Sequence, residues 1–243
     1  MAARFHRLRI ADIRRETPQS VSLALAIPDA LRPAFRFAPG QYLTLRARFD
    51  GEEVRRAYSI CSGIEEGEVR IAVKAVAGGI FSRFVNERLG IGDTIEAMAP
   101  LGQFTVPLAP DGARIFLGIA CGSGITPVLS ILKSVLAREP ASRFLLFYGN
   151  RTSSDIMFAE ALGRLKDRHL GRLSIAHVLS REAQDRPVRQ GRLDGERIRV
   201  LLRAVLPAGR IDHAFLCGPA PMMAEAAATL AALGLAPERI RQE

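Results

Sequence analysis

Cysteine is scarce in this 243-residue chain: Cys61, Cys121 and Cys217 are odd in number, far apart and without a Cys-x-x-Cys spacing. That excludes a disulfide framework and a zinc site of ordinary spacing. Three thiols are also too few for the usual four-thiolate iron-sulfur cluster. The four histidines, His6, His169, His177 and His213, show no metal-ligand spacing, so no metal site is expected. No apolar run reaches twenty residues, and Met1 to Arg9 lack the apolar centre of a signal peptide, which predicts a soluble cytoplasmic protein with no membrane contact. Lysine is nearly absent, only Lys74, Lys133 and Lys166, so the net charge of +9 is carried by arginine. Those arginines are scattered, which reads as a solvated surface and argues against nucleic acid. The positive field that remains suits anionic cofactors and an acidic protein partner.

The length fits two domains. From Phe5 to about Val106 the chain shows six β-rich runs: Phe5–Arg15, Val21–Ile27, Gln41–Phe49, Val54–Ile60, Glu68–Ala75 and Thr94–Met98. The alternation Val69, Ile71, Val73 is that of a half-buried strand, and Asp50-Gly51 is a hairpin turn. One helical piece, Phe81–Leu89, interrupts them. A small antiparallel β-barrel over residues 1–108 follows.

After the Pro- and Gly-bearing stretch 107–112 the pattern changes to strands at Arg114–Ala120, Phe144–Tyr148, Leu173–Leu179 and His213–Cys217. Helices at Pro127–Arg138, Ile156–Arg168 and Gly195–Val205 separate them, and Pro221–Leu233 closes the chain with Met222 and Met223 read as core. Residues 109–243 are therefore predicted to form an α/β domain with a doubly wound parallel sheet.

Two motifs carry chemistry. In Arg56-Ala57-Tyr58-Ser59, Arg56 can fork onto a phosphate while Tyr58 lies along a ring and Ser59 reaches a heteroatom. In Gly122-Ser123-Gly124-Ile125-Thr126-Pro127, a glycine turn follows a buried strand, with Thr126 and Pro127 read as N-cap and first helical residue. A helix start aimed at the end of a strand is an anion site.

Between these motifs, Lys74 to Phe84 sets Gly78 and Gly79 before a short helix, where backbone amides and the Ser82 hydroxyl suit a pyrophosphate. At expected strand ends lie Asn150-Arg151, Ser180-Arg181 and Cys217-Gly218-Pro219. Arg151 and Arg181 are candidate clamps for a 2′-phosphate, and Cys217 a soft sulfur beside a nicotinamide.

The set Arg56-x-Tyr58-Ser59, Gly78-Gly79-x-Phe81-Ser82, Gly122-x-Gly124-x-Thr126-Pro127, Tyr148-Gly149-Asn150-Arg151 and Cys217-Gly218-Pro219 resembles, in order, the ferredoxin-NADP reductase superfamily. Phe37-Ala38-Pro39-Gly40-Gln41, Phe49 to Glu53, Gly149 to Ser153 and Phe215 to Pro219 narrow the resemblance to reductase components of ring-epoxidising multicomponent oxygenases. It covers Phe5 to Glu243.

The resemblance implies an FAD-dependent NADPH oxidoreductase. Arg56, Lys74, Gly78, Gly79, Phe81 and Ser82 would hold FAD, with Tyr58 and Ser59 at its ring. Gly122, Ser123, Gly124, Pro127, Asn150, Arg151, Ser180, Arg181, Gly218 and Pro219 would hold NADPH. Ser59, Thr126 and Cys217 would sit near the hydride path. It further implies a two-iron two-sulfur ferredoxin domain and an oxygenase component as partners. No such domain precedes Glu243, so the chain is expected to be part of a longer protein. Two other readings stand beside this one: a free-standing ferredoxin or flavodoxin reductase, and a flavin-binding electron-transfer or sensor protein without rapid turnover.

Overall fold

A computed structural model describes residues 4–206 and 211–243. The first three residues and 207–210, which the expected domains at 1–108 and 109–243 include, lie outside the described residues.

The N-terminal half is built of β1 (Phe5–Thr17), β2 (Ser20–Ala26), β3 (Tyr42–Phe49), β4 (Glu52–Ser59), β5 (Val69–Lys74) and β6 (Thr94–Met98), with α1 (Ile80–Glu87) between the last two. The strands form one antiparallel sheet in the order β4-β3-β6-β1-β2-β5. A bridge between Ile60 and Ile71, with Cys61 N–H donating to Arg70 O at 2.8 Å, joins the two outer strands and closes the barrel. All six expected strands are present. The β3–β4 hairpin turns on Asp50 (φ 50°) and Gly51 (φ 86°), the positive pair that a two-residue turn of matching twist requires.

Burial departs from expectation in β5, where Arg70 and Ala72 are buried as well as Val69, Ile71 and Val73. Ala72 packs into the core shared with the second half, and Arg70 pairs with Asp12 at 2.6 Å and Glu68 at 2.8 Å. The alternation signals one covered face; here the neighbouring half covers the other at Ala72, and the barrel's own Asp12, Ser22 and Glu68 enclose Arg70.

The C-terminal half contains β7 (Ile115–Cys121), α2 (Ile125–Arg138), β8 (Arg143–Asn150), α3 (Ala159–Arg168), β9 (Leu173–Leu179), α4 (Gly195–Val205), β10 (His213–Cys217), α5 (Ala220–Ala232) and β11 (Ile240–Gln242). Its sheet, in the order β11-β10-β7-β8-β9, is parallel throughout. Strand β11 adds to the four that the sequence predicts. Helix α3 begins three residues later than expected because Phe158 takes a left-handed conformation (φ 60°) that turns Met157 and Phe158 into the core.

Helix α2 is buried on nearly every face. It shares one core with Cys61, Ala72, Phe104 and Val106 of the barrel. Ser130 Oγ donates to Ser62 O at 2.7 Å, Ile64 N–H donates to Ser134 Oγ at 3.2 Å, and Lys133 pairs with Glu66 at 2.9 Å. The same helix therefore fixes the barrel against the sheet. Among the described residues no helix is long and apolar enough to cross a membrane.

Candidate functional site: a cleft between barrel and sheet

The carboxyl ends of β7, β8, β9 and β10 face β4, the end of β5 and the start of α1 across a cleft of about 1480 Å³. Single-ligand pockets run to about 300–1,000 Å³. This one has room for more than one.

On the barrel wall, Arg56, Tyr58 and Ser59 line the cleft from β4. Among the described residues Arg56 has no carboxylate partner; its Nη1 donates to the neighbouring Arg55 carbonyl at 2.7 Å, which leaves the rest of the guanidinium for a ligand. The Tyr58 ring lies 5.9 Å from that of Phe81, and burial pushes its hydroxyl up to about 12, so it stays protonated at neutral pH. Lys74 reaches across to Asp155 at 3.7 Å.

The turn before α1 is tightly made. Gly78 is left-handed (φ 71°), and a Cβ on Gly79 would lie 2.5 Å from both Ser82 Oγ and Val76 Cγ2. Ser82 Oγ accepts from Val76 N–H and donates to Gly79 O, each at 3.2 Å. Its hydroxyl staples the turn. The first intrahelical bond is Arg83 N–H to Gly79 O, so the amides of Ile80, Phe81 and Ser82 precede it and keep their hydrogens for an anion.

On the sheet wall, Gly122 (φ 55°), Ser123 and Gly124 form a 3-10 turn that leads into α2. Helix α2 is capped by Gly124, which corrects the expected cap at Thr126. The 3-10 turn starts the coil early, so Thr126 is already helical and donates its hydroxyl to Ser123 O at 2.9 Å. Pro127 sits within the first turn, where its missing N–H costs nothing. Gly124 allows a very close approach: a Cβ there would stand 2.2 Å from Cys217 O. Tyr148 donates to Gly122 O at 2.9 Å and holds the turn from below. Beside it, Asn150 is nine-tenths buried, and among the described residues its Oδ1 and Nδ2 have no hydrogen-bond partner, an orphan that a ligand would satisfy.

Cys217 ends β10 in the cleft, with burial pushing its thiol up to about 12. Opposite it, Ser59 Oγ donates to Glu243 Oε2 at 3.5 Å. Burial raises the Glu243 carboxyl above the usual glutamate range, and the Ser59 hydroxyl opposes that shift. The cleft thus brings Ser59, Thr126 and Cys217 to one end, together with a carboxyl no motif predicted.

Of the sequence-predicted residues, Arg56, Tyr58, Ser59, Lys74, Gly79, Phe81, Ser82, Gly122, Ser123, Gly124, Thr126, Asn150, Arg151, Ser180, Cys217, Gly218 and Pro219 line the cleft. Gly78, Pro127 and Arg181 do not. Gly78 and Pro127 shape the turns behind it, and Arg181 is exposed, with its N–H on Arg151 O at 2.8 Å. Sequence reasoning missed Arg192, Met222 and Glu243, all lining residues. Arg192 stands in a loop without a motif, Met222 reads as core but opens onto the cleft, and Glu243 is placed by the short β11. Among the described residues no His, Cys, Asp and Glu cluster could hold a metal.

Two glycine turns with free or close-approach backbone, an arginine without a carboxylate and an orphaned buried amide fit two phosphate-bearing cofactors, one on each wall. The family comparisons agree. Residues 9–106 match the oxidoreductase FAD-binding domain and 119–228 the oxidoreductase NAD-binding domain. The chain is 45% identical, over 98% of its length and 67% of the relative's, to one of the subunits of the 1,2-phenylacetyl-CoA epoxidase of Escherichia coli. It is 33% identical, over 97% of its length, to the ferredoxin reductase component of 3-ketosteroid-9-alpha-monooxygenase of Rhodococcus rhodochrous, and spans 64% of that protein. The flavohem-like FAD/NAD-binding domain of nitric oxide dioxygenase from Vibrio cholerae superposes with a TM-score of 0.83 at 25% identity, covering 98% of this chain and 97% of that one. The chain, a flavin oxidoreductase by its domains, belongs to the FAD- and NAD-binding ferredoxin-NADP reductase family.

Proposed function

We propose that the chain is the FAD- and NADPH-binding part of a cytoplasmic oxygenase reductase, passing electrons to a two-iron two-sulfur ferredoxin domain and then to an oxygenase that epoxidises phenylacetyl-CoA. The observation that carries this is the shared cleft, lined by the glycine turn before α1 on one wall and the glycine turn before α2 on the other. The identity to the epoxidase component supports the choice of oxygenase.

Bound flavin supplies hydride acceptance from a nicotinamide and onward release of electrons. The chain's own residues position and exclude. Arg56 and the amides of Ile80 to Ser82 would hold the flavin phosphates, and Tyr58, backed by the buried Phe81, would lie along its ring. Gly124, by lacking a side chain, lets the Cys217–Gly218 backbone close against the nucleotide turn, which would set the Cys217 end of the cleft beside the nicotinamide. Ser59 and Glu243 hold a proton at the inner end of the cleft. At the outer end, Arg151 and Arg192 face it with Ser180, and Arg181 stands just outside. Charge-assisted bonds from such arginines contribute about 1.5–3 kcal/mol each, so after solvent screening NADPH is preferred over NADH by roughly ten- to several-hundredfold.

With NADPH, the chain is expected to reduce ferricyanide alone, because an outer-sphere acceptor needs only access to the flavin edge. Substrate oxidation by the oxygenase is expected only when the cluster domain is fused after Glu243 or added separately. Full coupling by this chain alone would contradict the proposed role.

A further inference from the structure

Strand β11 sets a cation and a carboxyl side by side that do not meet. It pairs in parallel with β10, which places Arg241 beside Phe215, and Glu243 N–H donates to Leu216 O at 3.1 Å to continue the row next to Cys217. Side chains alternate along a strand, so Arg241 and Glu243 share one face. Both line a second, smaller cavity of about 390 Å³ together with Tyr42 and Gln103. A guanidinium so placed is within reach of the carboxyl for a charge-assisted bond. Among the described residues, however, Arg241 pairs with no carboxylate, and its guanidinium turns the other way.

Two contacts turn it. Arg241 Nη1 lies 3.3 Å from His213 Nδ1, and its Cζ lies 5.7 Å from the centre of the Phe215 ring. Both rings are braced from behind: His213 stacks on Phe116 with ring centres 5.6 Å apart, and Phe215 meets Phe104 of the barrel edge-on at 5.3 Å. A neutral imidazole offers one lone pair. Arg114 Nη1 stands 3.5 Å from Nε2, but that guanidinium is already engaged by the buried Glu139 carboxylate and by Pro107 O. The lone pair is therefore assigned to Nδ1, where it accepts from Arg241, and the ring proton to Nε2. Burial first, then Arg241 and Arg114, lower the pKa of His213; Asp212 opposes them and Arg239 adds to them, so the ring is neutral at neutral pH.

We propose that His213 is a positioning residue: it parks the Arg241 guanidinium away from Glu243, so that the carboxyl at the inner end of the cleft stays without a cationic partner. The groups set against Glu243 are then Ser59, which donates to it, and the Cys217 thiol, with Tyr42 and Gln103 in the smaller cavity. Apart from the parked arginine, none of these carries a charge. Burial therefore decides the state of the carboxyl and favours its protonated form. A guanidinium within about 4–6 Å would reverse that, because such a neighbour lowers a carboxyl pKa by about 1–3. The inference rests on the proton-holding role given to Glu243 above and deepens it by naming what keeps that proton in place.

The test reads Glu243 without turnover. The full chain, labelled with carbon-13 in its glutamate carboxyls, is titrated by NMR, and the Glu243 signal is the one missing in Glu243→Gln. In His213→Leu the guanidinium loses its acceptor and is expected to swing onto Glu243, lowering the midpoint of that carboxyl by at least about one pH unit, tenfold in proton affinity. His213→Asn keeps an acceptor near the position of Nδ1 and is expected to titrate as the wild type does. Removing the guanidinium as well, in His213→Leu/Arg241→Met, is expected to restore the wild-type midpoint. An unchanged midpoint in folded His213→Leu, or a double variant that stays shifted, would overturn the proposal. So would a wild-type His213 ring with its proton on Nδ1, which nitrogen-15 shifts of the ring report without any variant. The pH profile of NADPH-driven flavin reduction is read separately: midpoints that move as expected beside a profile that does not would uphold the parking and overturn the role of Glu243 in the reaction.

Discussion

The two glycine turns of the cleft do the same job in different settings. The turn before α1 leads into an eight-residue helix that buries only Phe81, Ser82 and Val85. The turn before α2 leads into fourteen residues buried along almost their whole length, because α2 also joins barrel to sheet. A Cβ on Gly79 would first meet side chains of its own turn, Ser82 Oγ and Val76 Cγ2 at 2.5 Å, whereas one on Gly124 would meet the backbone of a distant strand, the Cys217 carbonyl at 2.2 Å. Binding at α1 is therefore separable from folding. At α2 the nucleotide turn and the domain interface are one object.

The comparison breaks most visibly at Gly124. Gly124→Ala drives a methyl into the Cys217 backbone, an overpacking cost of about 1–3 kcal/mol, and displaces the nicotinamide path. Thermal unfolding should fall by several degrees and NADPH-driven flavin reduction by about 100-fold, the scale of an ångström misplacement. Arg56→Ala on the other wall is expected to weaken flavin binding by about ten- to a hundredfold through one lost charge-assisted bond. Its unfolding temperature, measured without flavin, should not move, since the guanidinium meets no carboxylate among the described residues. Replacing Arg151 and Arg192 together by Ala should reduce the NADPH-to-NADH ratio of kcat/KM at least about tenfold with flavin content unchanged.

The smallest effect belongs to Glu243. Burial raises its pKa, so the folded chain holds this proton more tightly than the unfolded one. The stability that contributes is present below the ordinary glutamate range and is lost as pH rises through the raised value. Glu243→Gln should flatten that fall in unfolding temperature, and should also remove a limb from the pH profile of flavin reduction.

Periodicity makes most of the fold legible. The six barrel strands and the order of strands and helices after residue 112 follow from the alternation around Val69 to Val73 and the apolar runs such as Phe144 to Tyr148. Contacts between halves are not legible. The second buried face of β5 and the three-residue β11 are decided by partners distant in sequence, and local propensity has no access to them. The same holds in the cleft. Arg56, Gly79, Gly124 and Cys217 are visible because their spacing serves backbone geometry, whereas Arg192 and Glu243 enter through tertiary placement alone. Ser82 is visible too, but its hydroxyl is engaged in the turn, a role only the hydrogen-bond geometry reveals.

The most direct test of a two-cofactor cleft is anaerobic. The chain is loaded with FAD, mixed with NADPH, and the flavin absorbance band is followed. Complete and rapid bleaching, slower with NADH and slowed again in Gly124→Ala, is the result expected. A chain that binds no flavin, or bound FAD that keeps its band in excess NADPH, would contradict the account.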